Sequence, residues 1–361
     1  MKILLVQDYL RSGGTERQSV LLANALSDAG HVTTLLTFRP GGALNSTVGP
    51  QVHRISLQRT DTTLDWFAPG LRRATSTVQP DVILCMGRMA NCYAGNLQRR
   101  FPKSSVIATM RTGKTLPLLF RRSLRAVRHV VANSEDARAS LIRTYAVPAD
   151  KVTVIYNSLV FPPVSLTPRD EAMRRTQGAT ANTIVLLCVA MFRPEKNQRE
   201  LVEIAATFSP ELDWQLWLAG DGPCRAECER LASAKNLNDR VKSLGLVQNP
   251  SSLYAAADVA VHASSSESLS NFLIEAQAHG LPAVAYSAQG ISETFIPSRT
   301  GWEIPRGDRT LFCERIELLA QEPEAVRKAR ATEAQTFARN TFDPATQVAR
   351  YVDLFARLQS R

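Results

Sequence analysis

Short apolar runs alternate with amphipathic stretches from the first residues of the chain onward. Lys2–Gln7 is an apolar run of strand length, and Glu16–Ala29 repeats its apolar residues at the 3.6-residue period of a helix. Gly30 and His31 end that helix before a second apolar run at Val32–Thr37. The pattern predicts a β-α-β unit in a parallel sheet. The helix residues predicted to face inward are Val20, Leu21, Leu22, Ala25 and Leu26.

The same alternation continues in two blocks that a proline-bearing segment separates. Asn157–Thr183 contains three prolines and few apolar anchors, which is typical of a linker between domains. We therefore predict an N-terminal domain over residues 1–165 and a C-terminal domain over residues 166–343. Further strands are predicted at Val82–Met86, Val106–Thr109, His129–Ala132 and Val152–Tyr156, and then at Ile184–Ala190, Gln215–Ala219, Val241–Leu244, Val259–His262 and Ala283–Tyr286.

The last residues, 344–361, form a separate amphipathic segment. Apolar residues at helical spacing predict a helix over Pro344–Leu358, and we expect it to pack back on the N-terminal domain. No internal repeat of 20–50 residues competes with the α/β class. The apolar residues of this helix are Val348, Tyr351, Val352, Phe355 and Leu358.

Charge is unevenly distributed in this chain of 361 residues, whose composition is that of a soluble globular protein. Residues 1–165 carry 21 Lys and Arg against 9 Asp and Glu, and the remainder carries 22 against 24. A basic N-terminal half suits nucleic acid, anionic lipid or a phosphorylated substrate, and the alternative is a solvated surface without a partner. Zinc-finger spacing, RNA-recognition aromatic motifs and long Lys/Arg blocks are missing, so we expect no nucleic-acid partner.

The lengths of the apolar runs and the spacing of the cysteines indicate where in the cell the protein is expected. No apolar run approaches the roughly 20 residues of a spanning helix, and Gln7 and Asp8 interrupt the first run too early for a signal peptide. The closest cysteines, Cys224 and Cys228, lack a second Cys or His pair that would complete a metal site. We therefore expect a cytoplasmic protein without a metal ion, and the basic N-terminal half favours peripheral association with the inner face of the membrane.

Two carboxylates near position 270 carry the most specific signal for a ligand. Glu267 stands before a predicted helix and Glu275 stands inside it, while Gly280 and Pro282 end that helix. A helix N-terminus offers unpaired N–H groups and the positive end of its dipole to a diphosphate. A carboxylate one to two turns further along can accept hydrogen bonds from ribose hydroxyls. The spacing therefore predicts a nucleotide sugar as ligand.

Two loops at predicted strand ends carry further candidate groups. Gly13 and Gly14 follow the first strand, where glycine lets a backbone approach a ligand, although paired glycines are as often simple turns. Arg193 and Lys196 follow the first strand of the second domain, at the rim where such sheets bind ligands. Two fixed cations there would stabilise a diphosphate leaving group, and the alternative is a solvated turn.

In order and spacing these motifs resemble glycosyltransferase family 4, whose members are retaining enzymes of the GT-B fold. The resemblance runs over nearly the whole chain and implies an α/β protein with two Rossmann-like, doubly wound parallel-sheet domains that face each other across a cleft. The motifs that carry it are Gly13-Gly14-Thr-Glu-Arg, Asn133-Ser-Glu, Asn157-Ser, Arg193-Pro-Glu-Lys196-Asn, Gly220-Asp-Gly222-Pro and the pair Glu267 and Glu275.

The resemblance implies roles for individual residues. Glu275 would bind the donor ribose and Glu267 the transferred sugar, while backbone N–H groups of residues 271–273 would bind the diphosphate. Members need no metal ion, so we expect no cofactor, and the nucleotide sugar is a substrate. The predicted donor-binding residues are Gly13, Gly14, Arg193, Lys196, Asn271, Phe272, Leu273 and Glu275, and the predicted catalytic residues are Glu267, Lys196 and Arg193.

Three places depart from the family pattern. Met191 stands where many members have arginine, so Arg193 is expected to supply that charge, and Ser268 stands where many have glycine, which would tighten the sugar pocket. A histidine common in the first domain is replaced within Thr109–Lys114, where Arg111 could meet an acceptor phosphate. The predicted acceptor-binding residues are Glu16, Arg17, Arg111 and Lys114.

The stretch Lys114–Arg128 mixes apolar and cationic residues at roughly helical period. This pattern favours a surface that rests on anionic lipid while an acceptor is presented, and the alternative is an ordinary amphipathic helix with solvated arginines. The membrane is therefore a predicted partner of the basic N-terminal domain.

The chemistry of the family retains the anomeric configuration without a settled protein nucleophile, so Glu267 is not assigned as one. The expected function is transfer of a sugar from a UDP- or GDP-sugar to a lipid-linked saccharide or a surface-polysaccharide precursor. Two alternatives stay open. One is a sugar-nucleotide epimerase of similar fold, and the other is a catalytically inactive module that binds a nucleotide sugar or a lipid surface.

Overall fold

Parallel strands build both halves of the structure, a computed structural model that describes residues 1–159, 161, 169–247 and 249–360. The chain divides into a first unit, made of Met1–Leu159 with Phe342–Arg361, and a second unit, Val160–Thr341. No helix in the described ranges is long and apolar enough to cross a membrane. All six cysteines are unpaired.

The first unit is a seven-stranded parallel sheet flanked by helices. Its strands are β1 (Lys2–Gln7), β2 (Val32–Thr37), β3 (His53–Ser56), β4 (Val82–Cys85), β5 (Ser105–Met110), β6 (His129–Ala132) and β7 (Val152–Val154). Its helices are α1 (Gly14–Asp28), α2 (Leu71–Val78), α3 (Arg88–Arg100), α4 (Leu118–Ala126), α5 (Glu135–Arg143) and the last helix of the chain, Pro344–Gln359. The strand order is β3-β2-β1-β4-β5-β6-β7, so it reverses between β1 and β4.

The second unit repeats this arrangement with six parallel strands. They are β8 (Ile184–Val189), β9 (Trp214–Ala219), β10 (Val241–Gly245), β11 (Val259–His262), β12 (Ala283–Tyr286) and β13 (Gly301–Ile304). The helices are α6 (Glu171–Thr176), α7 (Gln198–Ala205), α8 (Arg225–Ala234), α9 (Ser251–Ala256), α10 (Asn271–Ala278), α11 (Arg309–Ala320) and α12 (Glu324–Phe342), which leaves α13 for Pro344–Gln359. The order is β10-β9-β8-β11-β12-β13, and the reversal falls between β8 and β11. Both units are Rossmann-like, as predicted.

Alternation of side chains explains why the central strands are continuous apolar runs. In β1, Leu4 and Val6 pack into the cluster that contains α3 and α4, whereas Ile3 and Leu5 pack on the opposite face against α1 and α13. A strand covered by helices on both faces needs apolar residues at every position. The C-terminal helix α13 completes one of these faces, with Tyr351 buried, and so belongs to the first unit.

Several sequence predictions differ from the structure. The strands β3 and β13 are missing from the prediction because polar residues interrupt both. On α1, Leu21 and Ala25 are half-buried, not inward-facing, because the buried stripe runs through Val20, Leu22, Ala23 and Leu26. The buried stripe is therefore shifted from the predicted one.

The predicted linker, Asn157–Thr183, contains a helix in the structure. Its prolines, Pro162, Pro163 and Pro168, lie outside the described residues. The later part of the segment forms α6, which Asp170 caps by accepting a hydrogen bond from the Met173 N–H at 2.9 Å. The fully buried Arg174 ties this helix to the second unit, since its guanidinium contacts the Asp258 carboxylate at 3.0 Å.

Candidate functional site

The loops after β8 and β11 meet at the point where the strand order of the second sheet reverses. Ligands of doubly wound sheets bind outside the carboxyl ends of the strands at such a point. Hydrogen bonds join the two loops, because the backbone N–H of Ser265 and the hydroxyl of Ser264 both donate to the Glu195 carbonyl at 2.8 Å. The two loops therefore form one structural element.

The loop after β8 is shaped by its own sequence. Gln198 is buried at the start of α7, and its amide donates to the carbonyls of Ala190 and Met191 at 3.2 and 3.0 Å. Pro194 opens a single 3-10 turn that ends at Lys196, and Asn197 follows with a left-handed φ of 52°. This turn fixes the backbone from which Lys196 reaches across to the next loop.

Lys196 and Glu267 form an ion pair, with 2.5 Å between the lysine Nζ and Oε1 of the glutamate. Burial raises the pKa of the Glu267 carboxyl, but the charge of Lys196 and a hydrogen bond from His262 outweigh burial and hold that pKa to about 2. Glu267 is 8% exposed and is therefore a buried, ionised carboxylate. The structure thus brings together two of the three predicted catalytic residues.

His262 is a neighbour of this pair that sequence reasoning does not single out. It is the last residue of β11 and is 1% exposed, and its Nε2 lies 2.8 Å from Oε1 of Glu267. A histidine that ends an apolar strand gives no local signal of function. Its role depends on the loop that follows the strand, which folds back over the end of β11.

The remaining predicted donor residues of the second unit lie at the start of α10. Ser270 caps this helix with its hydroxyl, which accepts a long hydrogen bond of 3.5 Å from the Leu273 N–H. Asn271 is the first helical residue, followed by the buried Phe272 and Leu273. Glu275 stands one turn further along, where the hydroxyl of Tyr254 donates to its Oε2 at 2.7 Å.

The third predicted catalytic residue, Arg193, differs from Lys196 in its surroundings. Its side chain is exposed and forms no ion pair with any described residue. Met191 is half-buried in the same loop, and Ser268 is buried in the loop after β11. Arg193 is therefore in the predicted loop, but its action on a ligand stays a prediction.

In the first unit, four predicted residues cluster where α1 begins. Gly13 is the N-cap and Gly14 the first residue of the helix. The Glu16 side chain folds back over this start, because a Cβ added to Gly13 would lie 2.5 Å from its Oε2. Arg17 is exposed one position further on. Roles for these residues toward donor or acceptor stay predictions.

The predicted acceptor residue Arg111 is engaged inside the first unit. Its guanidinium donates to the side chain of Asn157 at 2.5 Å and to the hydroxyl of Tyr351 on α13 at 2.7 Å. These contacts join the end of β5 to the segment after β7 and to the C-terminal helix, which is a structural role. Lys114 is exposed in the same loop.

At the reversal point of the first sheet, a carboxylate bonds to the start of a helix and not to a lysine. Asp8, directly after β1, accepts hydrogen bonds from the backbone N–H groups of Met89 and Ala90 at 2.9 and 2.6 Å, and so caps α3. Burial raises the pKa of its carboxyl to about 7, although these two N–H groups act in the opposite direction. Gly87, which precedes α3, has room for no side chain, since an added Cβ would lie 2.3 Å from Asp8 Oδ1.

Comparison with known proteins identifies the family. The family described as glycosyl transferases group 1 matches residues 169–336, and the one described as Glycosyltransferase Family 4 matches residues 12–159. Together the two matches cover both units. The chain belongs to glycosyltransferase family 4.

Individual relatives of this family 4 chain differ in how much they share with it. The lipopolysaccharide core biosynthesis glycosyltransferase LpsD of Rhizobium meliloti is 27% identical and is matched over 99% of this chain and 98% of its own length. The N-acetyl-alpha-D-glucosaminyl L-malate synthase of Bacillus anthracis is 33% identical over 42% of this chain and 40% of its own length. Other curated relatives are matched over about half of their length.

Among solved structures, the Anabaena protein HepE in complex with UDP superposes with a TM-score of 0.84 at 22% identity, over 99% of this chain and all of HepE. The likeness shows that this family 4 chain has the GT-B fold. No group of three or more His, Cys, Asp and Glu side chains that could hold a metal ion occurs in the described ranges. Independence from a metal stays a prediction.

Proposed function

We propose that this chain is a retaining glycosyltransferase that transfers a sugar from a UDP- or GDP-sugar to a lipid-linked saccharide or a surface-polysaccharide precursor. The observation that carries the proposal is the Lys196–Glu267 ion pair beside the start of α10, at the reversal point of the second sheet. Membership of family 4 supports the reaction class. The relative LpsD, named for lipopolysaccharide core biosynthesis, supports the class of acceptor.

The geometry suggests how the second unit assists the reaction. Negative charge grows on the diphosphate as the glycosidic bond breaks, so the cation of Lys196, held by Glu267, would stabilise the transition state more than the bound donor. The exposed Arg193 would add a second cation on ligand binding. The first N–H groups of α10 add the positive end of a helix dipole. This arrangement supplies the charge that a divalent metal would otherwise provide, so activity should survive a chelator such as EDTA.

Glu267 acts in this proposal as a hydrogen-bond acceptor for the transferred sugar. A carboxyl with a pKa of about 2 holds no proton at neutral pH and cannot serve as a general acid. The acceptor hydroxyl would attack the anomeric carbon from the side of the leaving group and pass its proton to a donor phosphate oxygen. The anomeric configuration is then retained without a protein nucleophile. Glu275, oriented by Tyr254, would accept hydrogen bonds from the ribose.

Substitution of Lys196 tests the proposal. In Lys196→Ala we expect transfer to fall at least 100-fold, since removal of one stabilising group for a leaving oxyanion costs about 10²–10³ in rate. The variant should still fold, with a lower unfolding temperature because the buried Glu267 loses its cation. Lys235→Ala is the matched control, because Lys235 is a lysine of the same unit paired with Glu203 at 3.1 Å. Full activity in Lys196→Ala would contradict the assignment. HepE was also solved in complex with UDP-glucose, so UDP-glucose is the first donor to assay with this chain.

The proposal includes peripheral association of the first unit with an anionic membrane. On α4, Leu118 and Leu119 are 61% and 58% exposed, and the exposed Arg121 and Arg122 stand close behind them. Exposed apolar residues beside cations suit the interface of an anionic bilayer. Trp66 adds a third exposed apolar side chain at 57%.

The segment that carries Trp66 is held in place by hydrogen bonds. The buried Gln58 donates through its amide to the carbonyls of Leu64 and Phe67 at 3.0 and 2.7 Å. The hydroxyl of Tyr93 on α3 donates to the Trp66 carbonyl at 2.6 Å. The helix α3 also packs closely along α4, so the Trp66 segment and α4 both contact the same helix.

Sedimentation with lipid vesicles tests this part of the proposal. We expect binding to phosphatidylglycerol vesicles but not to phosphatidylcholine vesicles, with a loss of at least 5-fold in the double variant Leu118→Ser and Leu119→Ser. Leu318→Ser is the control, because Leu318 is 54% exposed on α11 of the second unit. Equal binding by all variants, or equal binding to both lipids, would contradict the membrane assignment.

A further inference from the structure

We infer that His262 is a positioning residue that holds one oxygen of Glu267, so that the other oxygen meets the transferred sugar. The inference rests on the proposed function, because that function assigns Glu267 to the sugar. His262 contacts Glu267 and does not itself contact the donor in this scheme. Its neighbour Lys196 holds the same glutamate from the loop after β8.

The direction of the hydrogen bond follows from the charges. Glu267 is ionised because its pKa is about 2, so its oxygens only accept hydrogen bonds. The Nε2 atom of His262 must therefore carry the hydrogen in the 2.8 Å contact. Such a charge-assisted bond is short and strong, and together with the bond from Lys196 it holds Oε1 of Glu267 in place.

The two partners of Glu267 converge on a single oxygen. Lys196 Nζ and His262 Nε2 both lie within hydrogen-bond distance of Oε1, at 2.5 and 2.8 Å. None of the described residues bonds to Oε2. One oxygen of a buried carboxylate is therefore committed to the protein, and the second keeps its lone pairs for a sugar hydroxyl.

The surroundings of His262 argue against a role in packing alone. His262 follows the apolar residues Val259–Val261 and is buried with its ring 5.8 Å from that of Phe272. Its Nδ1 is buried and finds no hydrogen-bond partner within the described residues. A polar ring buried for packing alone loses its interactions with water and gains a single bond, so a leucine would serve stability at least as well. The bond to Glu267 is what the histidine adds.

Three variants separate positioning from packing. In His262→Leu we expect kcat for sugar transfer to fall 10- to 100-fold, while the Kd for UDP, which has no sugar, changes less than 3-fold. His262→Gln keeps an N–H donor at similar reach and should recover at least a third of the lost kcat. His129→Leu is the control, because His129 is a buried histidine of the first unit, bonded to Thr153, and should leave kcat unchanged.

Failure of the inference about His262 can be distinguished from failure of the proposed function. Wild-type kcat in His262→Leu would overturn the inference, as would equal losses in the Leu and Gln variants. If wild-type protein transfers no sugar, the proposed function fails, and a double-mutant cycle of unfolding with His262→Leu and Glu267→Gln still tests the contact. Non-additive free energies of unfolding would support the positioning of Glu267, and additive ones would refute it.

Discussion

The two units place different groups where their strand order reverses. Where the second sheet reverses its strand order, Lys196 from the loop after β8 meets Glu267 from the loop after β11, and the neutral Ser270 caps the next helix. Where the first sheet reverses, the carboxylate of Asp8 caps α3 through the N–H groups of Met89 and Ala90. The start of α3 already donates two N–H groups to a carboxyl of the protein, and the start of α10 is capped by a hydroxyl.

This difference indicates which unit suits the diphosphate of a donor. A helix N-terminus attracts anions, but a buried carboxylate in the same place consumes its N–H groups and repels a second negative charge. The start of α3 is therefore unsuited to a phosphate while Asp8 is ionised. The start of α10 is capped by the neutral Ser270, and the carboxylate of Glu267 in the preceding loop is already paired with Lys196.

The largest effect should come from making the second unit resemble the first. Ser270→Asp places a carboxylate at the start of α10, where aspartate is a good helix cap. Two unit charges about 4 Å apart interact by about 4 kcal/mol near a protein surface, so we expect UDP affinity to fall roughly 1,000-fold. Calorimetric titration measures the affinity, and the neutral Ser270→Asn, nearly isosteric with the aspartate variant, is the control. Equal UDP affinities in the two variants would place the diphosphate elsewhere.

A second prediction concerns the pH dependence that Asp8 gives to the first unit. Because burial raises the pKa of this carboxyl from 3.8 to about 7, the folded chain binds a proton that the unfolded chain has already lost. The contribution of Asp8 to stability is thus complete below about pH 4 and disappears as the pH rises through about 7. Asp8→Asn removes this titration, so its stability relative to wild type should rise across this range by about 1.4 kcal/mol per pH unit. Denaturant unfolding at several pH values measures this, and parallel profiles for the two proteins would show that Asp8 does not titrate as described.

The smallest of the three effects compares two glycine caps with nearly equal dihedral angles. Gly87 has φ −73° and ψ 157°, and Gly13 has φ −75° and ψ 165°. The Cβ of an alanine at Gly87 would lie 2.1 Å from the buried Gln7 side chain and 2.3 Å from Asp8, whereas alanine at Gly13 meets the end of the Glu16 side chain, which can turn away. We expect Gly87→Ala to lose about 2 kcal/mol of unfolding free energy and Gly13→Ala less than about 1 kcal/mol. Chemical denaturation checks both, and similar losses would mean that Asp8 and Gln7 can move.

Much of the fold could be predicted because its strands are buried on both faces. The bounds of β1, β2, β6, β11 and β12 agree with the prediction, since each is an apolar run between polar or glycine-bearing segments. The polar edge strand His53–Ser56 and the strand Gly301–Ile304, which alternates apolar and polar residues, give no such signal. Both strands lie at an edge of their sheet, where short strands with polar or charged residues are common, so composition does not reveal them.

Site residues could be predicted where a motif within a single loop places them at the end of a strand. Lys196 and Glu267 could be found because motifs in each loop place them at strand ends. The contacts of His262 and Arg111 could not be predicted, because their partners are set by tertiary structure. Arg111 binds Tyr351, which lies 240 residues further along the chain, and no local pattern predicts that contact.

The central claim is that the second unit holds the diphosphate through Lys196. Titration of UDP into wild type, Lys196→Ala and Lys235→Ala measures it directly, without acceptor or turnover. We predict that Lys196→Ala weakens UDP binding by roughly 30-fold or more, as loss of a cation close to a phosphate implies, and that Lys235→Ala binds like wild type. All three should be folded at the temperature of the titration, although Lys196→Ala should unfold at a lower temperature because the buried Glu267 loses its cation. Wild-type affinity for UDP in a folded Lys196→Ala variant would contradict the claim.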